Sequence, residues 1–540
     1  MVCKGKRIMQ QNKKLLEDMS TKRQELFVRA LKNRSDIHSL MGHYEQAIAD
    51  CKRILLFCKR DSQSYSSLIK ITTITIANFI ARGMSDYNQA EHLIRRTIIK
   101  EDKNDIYASG LYTLGIIYWY KRDFDRSLEC YEKALEIFQR LGNKRYVGNI
   151  LNGLGILYHN LGKFDMALKS YKKCLEISKK TGDKMIEASS LNNIGLVYFY
   201  KGNINVALKY FLKCLKMNNE IGHKIGLAIS FNSIAMAYEE KIRLKEALKY
   251  YKEYLNLSEE IGYKMGVVVA YDNIGNFYLA GGEFNTALRY FQKSLVLSQR
   301  INYMVGITRI LEHLGKTYFH KGDIPTALKY YRKALAFGEK SGNKQQVSQV
   351  LVKIGEIYTL LKKFHKAEQI LRRAKDIFIK TNDKSGLLEV YSKMSDLKVA
   401  QKNYAVALRL AKKSLSLTSQ ISLSEEQKAI ALMAVSKVMI SRNPREAISH
   451  IRQALKIVKK RKKGAELAHS FYELCKNLRN LSKIGNEHEY IMEDVKRILR
   501  EIRDIKWVRK FWQSTRSIIH FDYNGKKGMR DLIYQRKIFL

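Results

Sequence analysis

Asn152, Asn192 and Asn232 are evenly spaced in the chain, and a carboxamide both donates and accepts hydrogen bonds. Set on one face, three such groups make a ladder suited to the backbone of an extended ligand, with little dependence on its side chains. Other groupings that resemble chemistry fail on spacing. Gly315, Lys316 and Thr317 end like a phosphate-binding loop, but the earlier glycine that the loop requires is Ile310, and the segment reads as the interior of a helix. Gly281, Gly282, Glu283 and Phe284 spell a fragment of the diguanylate cyclase signature, one acidic residue short, at a hinge that Leu161, Gly162, Lys163 and Phe164 occupy in another copy. The 12 histidines show no zinc-ligand spacing with acidic or thiol partners, and no Gly-x-Ser-x-Gly turn occurs. Glu487, His488 and Glu489 read as a solvated charged cluster. The expectation is a non-enzymatic chain with no catalytic residue, no metal and no cofactor.

The elements that position the asparagines repeat at that same interval from about Ala108 to Gln420. Gly115, Gly155, Gly195, Gly275, Gly315 and Gly355 form one comb, completed by Ala235 and Ser395. A tyrosine comb lies three residues on, from Tyr118 to Tyr358, and an alanine comb runs from Ala167 to Ala407. Such self-similarity is one supersecondary unit stacked on copies of itself. Within a copy, Leu191, Ile194, Gly195 and Tyr198 recur at helical spacing. A second helical pattern, Ala207, Leu208, Phe211, Cys214 and Leu215, begins after the hinge at Gly202 and Asn203. Each unit is therefore a helical hairpin. Gly142, Gly182, Gly222, Gly262 and Gly342, replaced by Asn302 and Asn382, mark where the second helix ends, because these residue types tolerate the left-handed C-cap conformation.

The order small residue, tyrosine three on, Gly-x-Phe, then Ala-Leu, as in Gly155, Tyr158, Gly162, Phe164, Ala167 and Leu168, resembles the tetratricopeptide repeat (TPR). The period of 40 departs from the usual 34, and the proline that commonly closes the second helix is missing. The longer period is similar to the class in spindle-orientation adaptors and bacterial peptide-sensing regulators. The resemblance implies an all-α, right-handed superhelical solenoid of stacked helical hairpins whose first helices line a concave groove for a peptide or protein.

On that geometry the groove-facing candidates are Asn149, Asn152, Ile156, His159, Asn160, Asn192, Leu196, Phe199, Tyr200, Asn232, Met236 and Asn276. The asparagines serve as backbone clamps and the apolar residues as side-chain pockets; the competing reading has Asn152, Asn192 and Asn232 satisfying neighbouring helices or one another. Asp272, Glu312, Glu239, Glu240 and Glu356 make the expected surface more acidic further along, which favours a ligand with a basic end.

The second helices read oppositely. Lys169, Lys209, Lys249, Arg289 and Lys329 recur once per copy, and Lys173, Lys213, Lys293, Lys333, Arg373 and Lys413 follow one helical turn later. With 98 Lys and Arg against 52 Asp and Glu, the formal charge is +46, which favours polyanions at low salt. Such a ridge is either a solvated face or a polyanion contact. The run Lys459, Lys460, Arg461, Lys462 and Lys463 likewise reads either as cations at a helix C-terminus or as a nuclear-import or nucleic-acid patch.

Seven scattered cysteines without a Cys-x-x-Cys pair point to a reducing compartment. The N-terminus lacks the apolar core of a signal peptide, and the most apolar window, Leu68 to Ala81, is too short to cross a bilayer. The expected location is cytoplasmic, without integral membrane association. The expected organisation is a basic segment at 1–21, two divergent repeats at 22–107, a regular array of eight at 108–421, a divergent repeat with capping helices at 422–500, and a basic aromatic tail at 501–540. That tail packs on the last repeat or forms a separate segment for an acidic partner. The functional expectation is a TPR scaffold or adaptor that binds an extended peptide or a partner helix, with a nucleic-acid or anionic-surface role for the basic ridge and tail as the alternative.

Overall fold

The computed structural model describes residues 21–459, apart from 41–43, 60–61, 85, 99–103, 242, 419–424 and 440–442. Among the described residues there are 22 α-helices, paired as eleven hairpins, and no strand. In order they are α1 (Thr21–Leu40) with α2 (Tyr44–Cys58), α3 (Ser66–Phe79) with α4 (Tyr87–Ile98), α5 (Asp105–Tyr120) with α6 (Phe124–Arg140), and α7 (Lys144–Asn160) with α8 (Phe164–Thr181). They continue as α9 (Lys184–Tyr200) with α10 (Ile204–Glu220), α11 (Lys224–Glu240) with α12 (Leu244–Glu260), α13 (Lys264–Ala280) with α14 (Phe284–Arg300), and α15 (Met304–His320) with α16 (Ile324–Lys340). The last are α17 (Lys344–Leu360) with α18 (Phe364–Lys380), α19 (Lys384–Ala400) with α20 (Tyr404–Leu417), and α21 (Glu425–Met439) with α22 (Pro444–Lys459). Odd numbers are first helices and even numbers second helices. The chain divides into two units: Met1–Ile150 with Gly262–Met265 and Ile301–Tyr303, and Leu151–Ile261 with Gly266–Arg300 and Met304–Leu540.

The glycine comb is the point of closest approach within a hairpin. A methyl group on Gly195 would lie 2.6 Å from the Phe211 ring, and one on Gly355 the same distance from Leu371. The large side chain at the middle of the second helix thus fills the space that the missing Cβ leaves. Serine at this junction uses the same proximity. Ser35 and Ser395 donate to the carbonyls of Ala47 and Ala407 at 3.0 and 2.9 Å, and Ser127, in the alanine comb, donates back to the Gly115 carbonyl at 2.8 Å. Buried hydroxyls are thereby satisfied at a crossing too tight for larger side chains.

The loops repeat as well. Gly142, Gly182, Gly222, Gly262 and Gly342 have φ from +64° to +71°, and Asn302 and Asn382 have +53° and +50°, so the substituting asparagines adopt the left-handed conformation that the sequence assigned to this position. A second left-handed turn, between first and second helix, falls on Gly162, Gly202, Gly282 and Gly322, and on Arg122, Lys362 and Lys402 at φ +56° to +61°. Asp123, Asp183, Asp323 and Asp383 then cap the following helices by accepting from the backbone N–H three residues on. In the second hairpin the chain leaves α3 through a π-helical turn, Ile80–Met84. Residues 41–43, between α1 and α2, lie outside the described residues, as do the expected capping helices and the aromatic tail.

Candidate functional site

Register alone places Asn152, Asn192 and Asn232 at one position on α7, α9 and α11, because each lies one repeat period after the last and the helices start in step. Each carboxamide is engaged laterally. Asn193 Nδ2 donates to Asn152 Oδ1 at 2.8 Å, Ser233 Oγ to Asn192 Oδ1 at 2.8 Å, and Asn273 Nδ2 to Asn232 Oδ1 at 2.7 Å. Every bond runs from one first helix to the next, to the residue 41 positions later. The ladder therefore ties repeat to repeat through its acceptor oxygens, and its amide N–H groups are what it can offer a ligand. That of Asn232 points at Met236 Sδ, 3.8 Å away. Asn192 is buried, while Asn152 and Asn232 are half-buried. Asn193, Ser233 and Asn273 were not among the sequence candidates, although a small polar residue follows each ladder asparagine from the second copy onward.

One helical turn further, Ile156, Leu196 and Met236 are half-buried and pack on the buried clusters around Tyr171, Phe211 and Tyr251. They lie one turn from the amides on the same three helices. Asn160 and Tyr200 at the helix ends are exposed, Tyr200 by 50%. His159 sits 4.8 Å from the Tyr200 ring and 5.6 Å from Phe164, and its burial holds the imidazole below its ordinary pKa, so it is neutral at pH 7. Phe199 is half-buried edge-on to Tyr200. Ile229, 39% exposed on α11 three residues before Asn232, was not among the sequence candidates, although it keeps register with Asn149. Asn149 is half-buried and belongs to the first unit.

From α13 onward charged residues enter these positions, and several of them are paired. Asp272, only 2% exposed, faces His313 Nδ1 at 2.7 Å and Arg309 Nε at 2.8 Å. Burial by itself would raise the Asp272 carboxyl; His313 and Arg309 outweigh it and hold it below its ordinary value. Asn276 donates to the Asp272 carbonyl at 3.1 Å and lies 3.2 Å from His313 Nδ1. Further pairs join Lys353 to Glu389, Lys393 to Glu356 and Lys437 to Asp396, each at 3.0 Å or less. The acidic surface expected from Asp272 and Glu356 is thus compensated by cations on neighbouring first helices, which sequence reading of the acids alone did not pair with them. Burial raises the Glu312 carboxyl above its ordinary value.

The cations Lys169, Lys209, Lys249, Arg289 and Lys329 are all exposed and sit on second helices, whereas the amide ladder sits on first helices. Lys459 ends α22, and Lys460, Arg461, Lys462 and Lys463 lie outside the described residues. No described helix is long and apolar enough to cross a membrane. Among the described residues no group of three or more His, Cys, Asp and Glu could hold a metal ion.

A family model for the tetratricopeptide repeat matches residues 107–180, 186–260, 266–340, 306–380 and 346–420. No curated protein matches the sequence. Similar solved structures include a Rap protein complexed with competence and sporulation factor, 14% identical, with 66% of this chain and 98% of that one covered at a TM-score of 0.48. The apo form of RapI is 15% identical, with 65% and 98% covered and a TM-score of 0.40. BtubC (BKLC) from P. vanneervenii is 16% identical, with 41% and 91% covered and a TM-score of 0.34.

Proposed function

Because this chain belongs to the tetratricopeptide repeat family, we propose that it is a non-enzymatic cytoplasmic scaffold that holds an extended peptide or a partner helix along the groove formed by its first helices. The observation that carries the proposal is the laterally bonded ladder of Asn152, Asn192 and Asn232 beside the half-buried Ile156, Leu196 and Met236. Lateral bonding fixes the carboxamides before a ligand arrives, so less side-chain entropy is lost on binding. Their N–H groups donate to ligand carbonyls, Ile156, Leu196 and Met236 receive alternate side chains, and Asn160 and Tyr200 supply polar contacts at the edge. His159, Phe199 and Asn276 support these groups.

The test must separate binding from the structural role of the ladder. Replacing Asn152, Asn192 and Asn232 by alanine leaves Asn193, Ser233 and Asn273 without their acceptors, which costs about 1–3 kcal/mol for each group so buried. The exposed pair Asn160→Ala and Tyr200→Ala avoids that cost. Affinity capture from a lysate of the source cell at low and high salt, with wild type and this double variant, is expected to recover a discrete protein that survives salt and is lost with the variant. Recovery unchanged by the double variant refutes the assignment of this face.

A further inference from the structure

Formal charge is distributed unequally between the two kinds of helix in the second unit. Seven of the eight second helices from α8 to α22 carry +2 or +3, and only α12 is at −1. The seven first helices from α9 to α21 stay between −1 and +1. Within these helices of the second unit the excess of cations therefore belongs largely to the second helices.

The cations on those helices are also held outward. Lys169, Lys209, Lys249 and Lys329 are exposed, share one register position, and make no ion pair among the described residues. In the next turn, Lys213 and Lys333 stand 6.0 Å above the rings of Tyr210 and Tyr330, contacts that hold their ammonium groups beside aromatic faces. Tyr210 and Tyr330 are in turn stacked on Tyr198 and Tyr318 at 5.7 and 5.4 Å, so the rings that support the lysines are themselves fixed.

We infer that the second-helix face of this unit is a docking surface for the phosphate backbone of a nucleic acid, separate from the first-helix face proposed for peptides. Successive second helices are two interhelical spacings apart, roughly 16–20 Å, so a small anion meets one register position while a polymer meets several. A nucleic acid supplies charge continuously along its length. An anionic bilayer gains instead from apolar side chains inserted beside the cations. One turn beyond Lys169, Lys209 and Lys329, the side chains are again Lys173, Lys213 and Lys333.

The test uses the full-length chain and a fluorescein-labelled single-stranded oligonucleotide of mixed sequence, titrated from low to moderate salt, about 50 to 300 mM. The comparison is with the variant Lys169→Gln, Lys209→Gln, Lys249→Gln and Lys329→Gln, and with the matching four Lys→Arg changes. Binding is expected to weaken linearly in log–log form. The slope should be about 3 less steep in the glutamine variant, at about 0.7 for each phosphate no longer neutralised, and unchanged in the arginine variant. Circular dichroism of all three forms should coincide, because the four side chains are exposed. Three results overturn the inference: no binding at the lowest salt, an equal slope in wild type and glutamine variant, or capture by phosphatidylserine vesicles without capture of the oligonucleotide.

Discussion

The glycine comb makes a quantitative prediction about coupling between paired positions. A Cβ on Gly355 would lie 2.6 Å from both Cγ and Cδ2 of Leu371, which is fully buried. In the next copy the equivalent positions are Ser395 and Ala411, a larger residue on the first helix matched by a smaller one on the second. Gly355→Ala gains about 1 kcal/mol of helix propensity and loses about 1–3 kcal/mol to overpacking, a net change of roughly 0–2 kcal/mol destabilising. Leu371→Ala alone opens a cavity and costs about 2–5 kcal/mol. In the double variant the new methyl group occupies part of the vacated volume, so its cost should fall below the sum by at least about 1 kcal/mol. Long repeat arrays do not unfold in one step, so native-state hydrogen exchange of amides in α17 and α18 is the suitable assay. Additivity within about 0.5 kcal/mol, or stabilisation by the full propensity gain in Gly355→Ala, refutes the claim that Leu371 is why this position is glycine.

Other outcomes follow from single sites. Burial opposes ionisation of Glu91, but hydrogen bonds from Lys121, Tyr118 and Arg95 prevail and hold it at about 2 against an ordinary 4.5. Its folded value is depressed, so its stabilisation is complete above about pH 4.5 and is lost as pH falls toward 2. Exchange protection in α4 and α5 should fall by on the order of 2–3 kcal/mol across that window, and Glu91→Gln should flatten the profile. Burial pushes the Cys130 thiol up to about 11 and raises those of Cys51, Cys58, Cys174 and Cys214. Colorimetric thiol titration of the native chain at pH 8 is expected to count no more than two of the seven cysteines; a higher count means that these sites open. Gly142→Ala, where nothing lies within 4 Å of the added methyl but φ is +68°, should lower stability by about 1–2 kcal/mol. Lys362→Gly, at φ +56°, should be neutral or stabilising by less than about 1 kcal/mol in the same exchange assay.

Much of this architecture was legible in the sequence because stacking repeats force each copy to solve the same local problem. Gly142 and Asn302 alternate at one position because both adopt the left-handed turn there, and that preference is local to the chain. Gly195 and Phe211 recur as a pair because one hairpin crossing admits one large side chain. The left-handed turns at Arg122, Lys362 and Lys402 were not legible, since nothing in those residue types favours that conformation and only the repeat geometry imposes it.

The functional face divides in the same way. Periodicity put Asn152, Asn192 and Asn232 in register, and charge counting put the lysines in another register, because both are properties of position along a helix. Tertiary structure alone decided where the carboxamide oxygens go: to Asn193, Ser233 and Asn273 on the next first helix, across a contact between residues 41 positions apart. It likewise set the buried Asp272 against Arg309 and His313, so the expected acidity is a carboxylate paired with a cation of the next first helix. A hydrogen bond or ion pair needs a partner within about 3 Å, and which side chain of the next repeat comes that close depends on how neighbouring hairpins are rotated and offset. Those rotations are not written in any one copy of the repeat.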